Sequence, residues 1–344
     1  MAAGSPAPAQ SSHSGVSAQR GSTCSAEQVE SIAANVPSHS GSCYGDAVVD
    51  IVALSPAVQN AEVSSRPTDE EIIAQENAIR ASEAEKLGFV GDIEPLVALE
   101  KEYEAGSEVF VRKIRSLESS YRSMRRTRGD GNCFFRSFIF AYMEVLVATN
   151  DLAERNRVVT CLRQWRPKLM ETGFQELVFE DALEVLIDQL NSLGTAEPLT
   201  VRQLEDNLRD ASLSPMIVMM LRMLDSAEIQ RRGDFFYPFI LGMSDEATTV
   251  EQFCRRYVEP MGEESDHVHI VALTDALQVP IRVVYLDRTA MPGEGGSSAV
   301  ATYDFTPAGC AGTPPRVHLL YRPGHYDVLY PALPAPPSVP AAST

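Results

Sequence analysis

The stretch RRTRGDGNCFFRSFIFAYMEVLV, residues 125–147, joins a glycine-containing turn to an apolar segment. Cys133 stands at the junction, directly after Asp130, Gly131 and Asn132. A thiol in the first turn of a helix faces unpaired backbone N–H groups and the positive end of the helix dipole, and both favour the thiolate. The stretch therefore predicts a helix over 133–147 that begins at a candidate nucleophile.

The turn before the thiol could supply the oxyanion hole that acyl transfer requires. Gly131 permits close backbone approach and unusual φ and ψ angles. Successive N–H groups of Gly131 and Asn132 can then point inward, as the oxyanion hole of an acyl-transfer enzyme requires. A free cysteine is also among the most frequently buried residues, so a purely structural Cys133 stays open at this point. The remaining cysteines lack such a turn and are predicted to be inert: Cys24, Cys43, Cys161, Cys254 and Cys310.

A nucleophilic thiolate needs a base, and His325 in HYDVLY is the best candidate. The segment follows a Pro-Gly break and has the composition of a strand, in which alternate side chains share a face. His325 and Asp327 therefore point the same way. We expect the Asp327 carboxylate to accept the Nδ1–H bond and to leave Nε2 facing the thiol. An exposed hairpin without a catalytic role is the competing interpretation of this pair.

The other histidines fit structural roles. His267 and His269 form an H-x-H pair, which could indicate a metal site, but no third ligand accompanies it, and packing at a helix start is favoured. His318 alternates with apolar residues and is predicted to be a strand histidine. We therefore expect no metal and no organic cofactor.

Charge and hydropathy exclude several classes of partner. The net charge of −18, from 29 basic and 47 acidic residues, argues against nucleic acid. No apolar run approaches the ~20 residues of a membrane span, so no membrane partner is expected. The basic cluster Arg122, Arg125, Arg126 and Arg128 is either a solvated strand edge or a positive field that favours thiolate.

The chain divides into three parts by composition. Residues 1–66 are rich in Ser, Ala and Pro and are predicted to be a disordered arm. Residues 67–331 form one α/β (α+β) domain, of which 67–90 is a helical arm that opens with a capping box at Thr68. Residues 332–344 are predicted to be a disordered tail.

Within the domain, the patterns predict helices first and a small sheet late. Apolar periodicity indicates helices across 96–121 and 151–192, and MIVMML at 216–221 predicts a buried helix that runs into Arg222. Residues 280–287 and 316–330 have the composition of strands, with a turn at Pro323-Gly324. Residues 289–315 are predicted to be a flexible loop.

The N-terminus has no apolar core of a secretory signal, and the cysteines form no CxxC pair. Cytoplasm or nucleus is therefore the expected location. Residues 1–26 contain no acid, so a plastid-type transit peptide is the alternative to simple disorder.

DGNCFFRSF, VEPM, SDHVHIVALTDAL and RPGHYDVLY together closely resemble the otubains, which are deubiquitinases with an ovarian-tumour (OTU) domain. The resemblance implies a papain-like OTU cysteine-protease fold, with a helical part followed by a small, mostly antiparallel sheet. It makes Cys133 the nucleophile, His325 the general base and Asp327 the acid that orients the base. Asp130 is the motif aspartate near the oxyanion hole. Since both acids cannot hold the same imidazole nitrogen, Asp327 is favoured as the orienting group and Asp130 as a turn residue.

The same resemblance implies an activity and partners. The expected function is a cysteine isopeptidase that hydrolyses the bond between the C-terminal glycine of ubiquitin and a lysine side chain. The expected preference is for the chain linkage that marks proteins for the proteasome. Ubiquitin, polyubiquitin and ubiquitin-conjugating enzymes are the expected partners of a monomer. The alternative is a non-catalytic regulator that binds ubiquitin or a conjugating enzyme.

Overall fold

The computed structural model describes residues 87–243, 248–287 and 300–332. The predicted disordered arm, the helix from Thr68 and residues 333–344 of the predicted tail lie outside the described residues. Residues 288–299 of the predicted loop do so as well. No helix among the described residues is long and apolar enough to cross a membrane.

Helices and strands follow one another with short connections. The strands are β1 Val90–Pro95, β2 Tyr121–Thr127, β3 Ile281–Tyr285, β4 Ala301–Phe305, β5 Val317–Arg322 and β6 His325–Pro331. The helices before residue 192 are α1 Leu96–Tyr103, α2 Glu108–Leu117, α3 Cys133–Thr149, α4 Leu152–Glu171 and α5 Glu176–Asn191. The later helices are α6 Val201–Arg209, α7 Leu213–Arg231, α8 Gly233–Met243, α9 Val250–Phe253 and α10 His267–Leu277.

The strands form one sheet, within the described ranges, in the order β1-β2-β6-β5-β3-β4. All neighbours are antiparallel except β3 and β5, which are parallel. The larger apolar core joins α3 and the later helices to one sheet face. A smaller core joins α1 and α2 to the opposite face. The fold is the predicted α+β class, with the sheet between two helical layers.

Two expectations about the sheet were wrong. Two strands, β1 and β2, precede the main run of helices, so the sheet is not confined to the late part of the chain. The charged residues of β2 made it hard to predict as an interior strand. Arg125 is nevertheless fully buried there, because its guanidinium donates hydrogen bonds to Tyr330, Gly91 and Glu205. Part of the predicted loop 289–315 is strand β4, which pairs with β3 along its whole length.

The predicted helix at Cys133 and the predicted hairpin around Pro323-Gly324 are both present. The apolar run at 216–221 lies in α7 and is largely buried, as expected. Its neighbour Arg222 is buried as well, with no exposed surface.

Candidate active site

The turn ahead of α3 depends on a glycine. Gly131 has a φ of 77°, and a Cβ atom there would lie 1.7 Å from the carbonyl oxygen of Gly262. A side chain is excluded by both the backbone conformation and the neighbouring loop. The next residues place Cys133 in the first turn of α3, where the N-cap Asn132 makes no side-chain cap bond. The N–H groups of this turn, including that of Cys133, therefore have no intrahelical partner.

Asp130 holds the turn to the helix that follows it. Its carboxylate accepts two hydrogen bonds from Arg136, each 2.8 Å long, and a third of 3.1 Å from the N–H of Asn132. These are the charge-assisted, bidentate contacts that fix geometry most strongly. The N–H of Asn132 is thereby engaged and cannot face a substrate, contrary to the expectation for an oxyanion hole. The N–H of Cys133 is the better candidate.

A buried arginine of α7 donates hydrogen bonds to the turn at Gly131 and Asn132. Arg222 donates to the carbonyl of Gly131 at 3.0 Å and to the side-chain oxygen of Asn132 at 2.9 Å. It also donates to the carbonyls of Val258 and Glu263, which belong to the adjoining loop. Burial lowers the pKa of Arg222 to about 10, so the side chain remains charged at neutral pH.

The hairpin β5–β6 carries the second half of the site. His325 opens β6, and its Nε2 lies 2.8 Å from Oδ1 of Asp327. The predicted contact is present, but the predicted assignment of the ring nitrogens was wrong. Alternate residues of a strand are about 6.6 Å apart, so the nitrogen at the tip of the ring is the one that reaches the carboxylate. Nδ1 faces the turn, 3.5 Å from where a Cβ at Gly129 would stand.

Asp327 is fully buried, and each of its oxygens has a donor. The N–H of Thr127 donates to Oδ1 at 3.0 Å, and Arg322 donates to Oδ2 at 2.6 Å. Burial alone would raise the pKa of Asp327, but the charge of Arg322 and the hydrogen bonds outweigh it and lower the pKa to about 2. Asp327 is therefore an anion at neutral pH.

The thiol and the imidazole are brought together across 192 residues of sequence. Cys133 interacts electrostatically with His325, and Nδ1 is the ring nitrogen that Asp327 leaves free to face it. Burial would lower the pKa of His325, but its interactions with Asp327 and Cys133 outweigh this and raise the pKa to about 10. His325 is thus an imidazolium at neutral pH, placed to stabilise a thiolate at Cys133.

The sequence profile of the family described as peptidase C65 otubain matches residues 82–331. The chain belongs to the otubain family.

Known proteins with otubain or deubiquitinase names are similar to this chain. A deubiquitinating enzyme from Arabidopsis thaliana, ovarian tumor domain-containing deubiquitinating enzyme 1, is 45% identical over 267 residues, covering 75% of this chain and 86% of that protein. Human ubiquitin thioesterase OTUB1 is 38% identical over 262 residues, covering 76% of this chain and 90% of that protein. In a solved complex of h/ceOTUB1 with ubiquitin aldehyde and UBC13~Ub, the matching chain has a TM-score of 0.67 and 32% identity. The match covers 77% of this otubain and 98% of that chain.

The basic cluster at β2 is not a solvated strand edge as a whole, because Arg122 is its one exposed member. Arg125 is buried, and Arg126 is ion-paired with Glu94 and Glu102. Arg128 stacks on the ring of Phe89 and donates to a backbone carbonyl. β2 lies between β1 and β6, so it is not an edge strand.

The other histidines in the described part of the chain have structural partners. His269 accepts the N–H of Asp266 and forms a capping box at the start of α10, which is the predicted helix-start packing. His318 lies in β5 beside the hydroxyl of Tyr121.

The sequence analysis did not assign two arginines, Arg322 and Arg222, to the site. Arg322 could have been found, because a two-residue turn places it directly opposite His325, and opposite residues of a hairpin share a face. Arg222 carried a weaker signal, namely a charge inside an apolar helix, which must find buried acceptors. Nothing in the sequence pattern indicates that these acceptors belong to the turn at Gly131.

Proposed function

We propose that this otubain is a thiol-dependent ubiquitin hydrolase that cleaves the isopeptide bond between the C-terminal glycine of ubiquitin and a lysine side chain. The observation that carries the proposal is the placement of Cys133 beside His325, whose Nε2 is hydrogen-bonded to Asp327. The relatives named as ubiquitin thioesterases and as a deubiquitinating enzyme supply the class of substrate.

In the first half-reaction, the sulfur of Cys133 attacks the carbonyl carbon of the terminal glycine. The negative charge that develops on the carbonyl oxygen is stabilised by the N–H of Cys133 at the start of α3. The C–N bond then breaks, and His325 gives its proton to the departing lysine amine. The products of this step are the free amine and a thioester on Cys133.

In the second half-reaction, the now neutral His325 takes a proton from a water molecule that attacks the thioester. The C–S bond breaks and releases the C-terminal carboxyl group of ubiquitin, which loses its remaining proton to solvent, and the thiolate–imidazolium pair is restored. Asp327 keeps its charge throughout and orients the imidazole for both proton transfers.

Burial of the nucleophile restricts what can react. Cys133 is only 3% exposed, and its neighbours on α3 are part of the core. This limited access to the sulfur favours a narrow, extended tail that ends in glycine, such as that of ubiquitin, over a bulky substrate segment.

A ubiquitin probe with an electrophilic C-terminus tests the proposal. The wild-type chain should form a covalent adduct and hydrolyse di-ubiquitin, and Cys133→Ala should do neither, because the sulfur forms the acyl intermediate. Thermal melts of both proteins control for folding. Wild-type protein that is folded but forms no adduct and cleaves no ubiquitin chain would exclude the function.

We further propose a preference for the chain linkage that marks proteins for proteasomal degradation, assisted by the predicted helix from Thr68. A panel of di-ubiquitins, cleaved by the full chain and by a form starting at residue 88, tests both parts. Equal linkage ratios for the two forms would exclude the helix from this role.

A second candidate function is inhibition of ubiquitin-conjugating enzymes by binding. Solved complexes of related otubains contain UBC13~Ub and UBCH5B~Ub, which favours this candidate. Binding would not need the thiol, so Cys133→Ala should inhibit chain synthesis as strongly as wild type. Inhibition that disappears with the sulfur would instead reflect cleavage.

A further inference from the structure

The face of the sheet that carries Asp327 is covered by α1 and α2. Leu320 and Leu329 belong to the smaller core on that face. Because strand residues alternate, Asp327 lies on the same face as Leu329, and Arg322 on the same face as Leu320. The carboxylate that orients His325 in the proposed mechanism is therefore directed toward the α1–α2 layer.

The Pro323-Gly324 turn fixes Arg322 beside this acid. Arg322 and His325 are paired across the hairpin, and Gly324 has a φ of 72°. The pairing leaves the guanidinium of Arg322 diagonal to Asp327, with Nη2 2.6 Å from Oδ2. The side chain of Arg322 is 16% exposed and that of Asp327 is not exposed, so solvent screens this pair weakly.

The α1–α2 layer places a tyrosine beside Arg322. The hydroxyl of Tyr103, the last residue of α1, interacts electrostatically with the guanidinium of Arg322. The ring of Tyr103 is stacked on Phe110 of α2, with ring centroids 4.7 Å apart and planes at 5°. Tyr103 therefore has a fixed position, and it limits where the guanidinium can move.

We propose that Arg322, with Tyr103 beside it, is a positioning residue that holds Oδ2 of Asp327 and keeps Oδ1 directed at His325. The inference rests on the proposed thiol chemistry and adds two residues for which no hydrogen bond to Cys133 is seen in the described part of the chain. Oδ1 receives both Thr127 and His325, and Oδ2 receives Arg322, so Arg322 fixes the second oxygen of the carboxylate. Without the cation, Asp327 would take up a proton at higher pH and lose its hold on the imidazolium.

The test compares Arg322→Gln, Arg322→Lys and Tyr103→Phe in the full chain. The first readout is the rate at which iodoacetamide alkylates Cys133, followed by mass spectrometry from acid to alkaline pH. This readout needs no ubiquitin. The second is kcat and KM for a fluorogenic C-terminal amide of ubiquitin. Arg282→Gln serves as the matched control, since it removes another arginine–aspartate pair of the same sheet, Arg282 with Asp304.

Arg322→Gln should move the pH of half-maximal alkylation upward by about one unit, the lower end of what a neighbouring cation contributes. It should also lower kcat roughly tenfold or more with little change in KM, since substrate binding is untouched. Arg322→Lys should restore most of the pH shift because it keeps the charge. Tyr103→Phe, which keeps the stacked ring, should give a smaller change in the same direction, and Arg282→Gln none.

An unchanged alkylation profile in Arg322→Gln would overturn the proposal. So would a loss of kcat no greater than that of Arg282→Gln. A Tyr103→Phe protein identical to wild type would overturn the part assigned to Tyr103, and this variant tests the network even if Arg322→Gln fails to fold. A wild type that alkylates as expected but cleaves no ubiquitin amide would contradict the proposed function without touching this inference.

Discussion

Asp327 on β6 and Asp225 on α7 are both fully buried, yet their surroundings differ at both carboxylate oxygens. Asp327 receives hydrogen bonds from Thr127, Arg322 and His325. Neither oxygen of Asp225 has a hydrogen-bond partner in the part of the chain that the structure describes.

The two carboxylates consequently titrate in opposite directions. Burial disfavours the anion at both positions, but at Asp327 the partners outweigh it and lower the pKa to about 2. At Asp225 burial dominates over the weaker attraction of His269 and Arg222, and the pKa lies well above its usual value. The number of partners, rather than the depth of burial, decides which aspartate is a permanent charge that can serve catalysis.

The largest effect is expected from Asp327→Asn, which removes the charge from the hydrogen-bonded aspartate of the two. The amide keeps the shape of the side chain but removes the charge that stabilises imidazolium, and it leaves Arg322 buried without its carboxylate. We expect kcat/KM for ubiquitin amide hydrolysis to fall about 10⁴-fold, the loss that an aspartate-to-asparagine change at the orienting acid of a triad causes. Steady-state kinetics on protein shown to be folded by circular dichroism measures the effect.

Asp225→Asn is the matched control for that loss. It replaces an equally buried aspartate for which no hydrogen bond to Cys133 or His325 is seen among the described residues, so kcat/KM should stay close to wild type. Comparable losses in the two variants would mean that the charge of Asp327 has no special role.

The next largest effect is expected on stability, from substitution of Arg222, which lies one helical turn before Asp225. Replacing Arg222 with Met removes the donors to Gly131, Asn132, Val258 and Glu263 and leaves buried acceptors unpaired. The expected loss is about 3 kcal/mol of unfolding free energy, as for other broken buried networks. Urea denaturation measures it.

Arg202→Met provides the surface counterpart. Arg202 is paired with Asp206 at 3.4 Å, and its side chain is 79% exposed. This substitution should change stability by less than about 0.5 kcal/mol, as exposed pairs do. If Arg222→Met and Arg202→Met lowered the unfolding free energy by the same amount, the buried network would contribute nothing beyond a surface ion pair.

These buried charges also mark the limit of what the sequence could predict. Local geometry at a helix start and in a strand made Cys133, His325 and Asp327 candidates, and the resemblance to the otubains favoured their catalytic roles over purely structural ones. The fold class followed from periodicity over longer stretches. Arg222 and Asp225 could not be assigned, since their partners, or lack of them, come from the packing of α7 against α10 and the loop after Val258. β2 was hidden for the same reason, because its arginines find their acids only in the folded protein.

The smallest expected effect is a gain of stability in Asp225→Asn. The unpartnered carboxyl costs free energy whenever it must ionise, and the amide cannot ionise. We expect the variant to be more stable than wild type by about 1–2 kcal/mol at pH 7.5, within the usual cost of an unsatisfied buried group. Urea denaturation at two pH values measures the difference.

The pH dependence gives this prediction its sign. The pKa of Asp225 is higher in the folded protein than in the unfolded chain, so the folded state holds its proton over the interval between the two values. Wild-type stability therefore falls as pH rises through that interval, while Asp225→Asn lacks this contribution. The stability difference should vanish below about pH 4, near the unfolded pKa of aspartate, and grow toward neutral pH. A difference that is equally large in acid would show that shape and not ionisation separates the two proteins, and Asp225 would then no longer be the uncharged counterpart of Asp327.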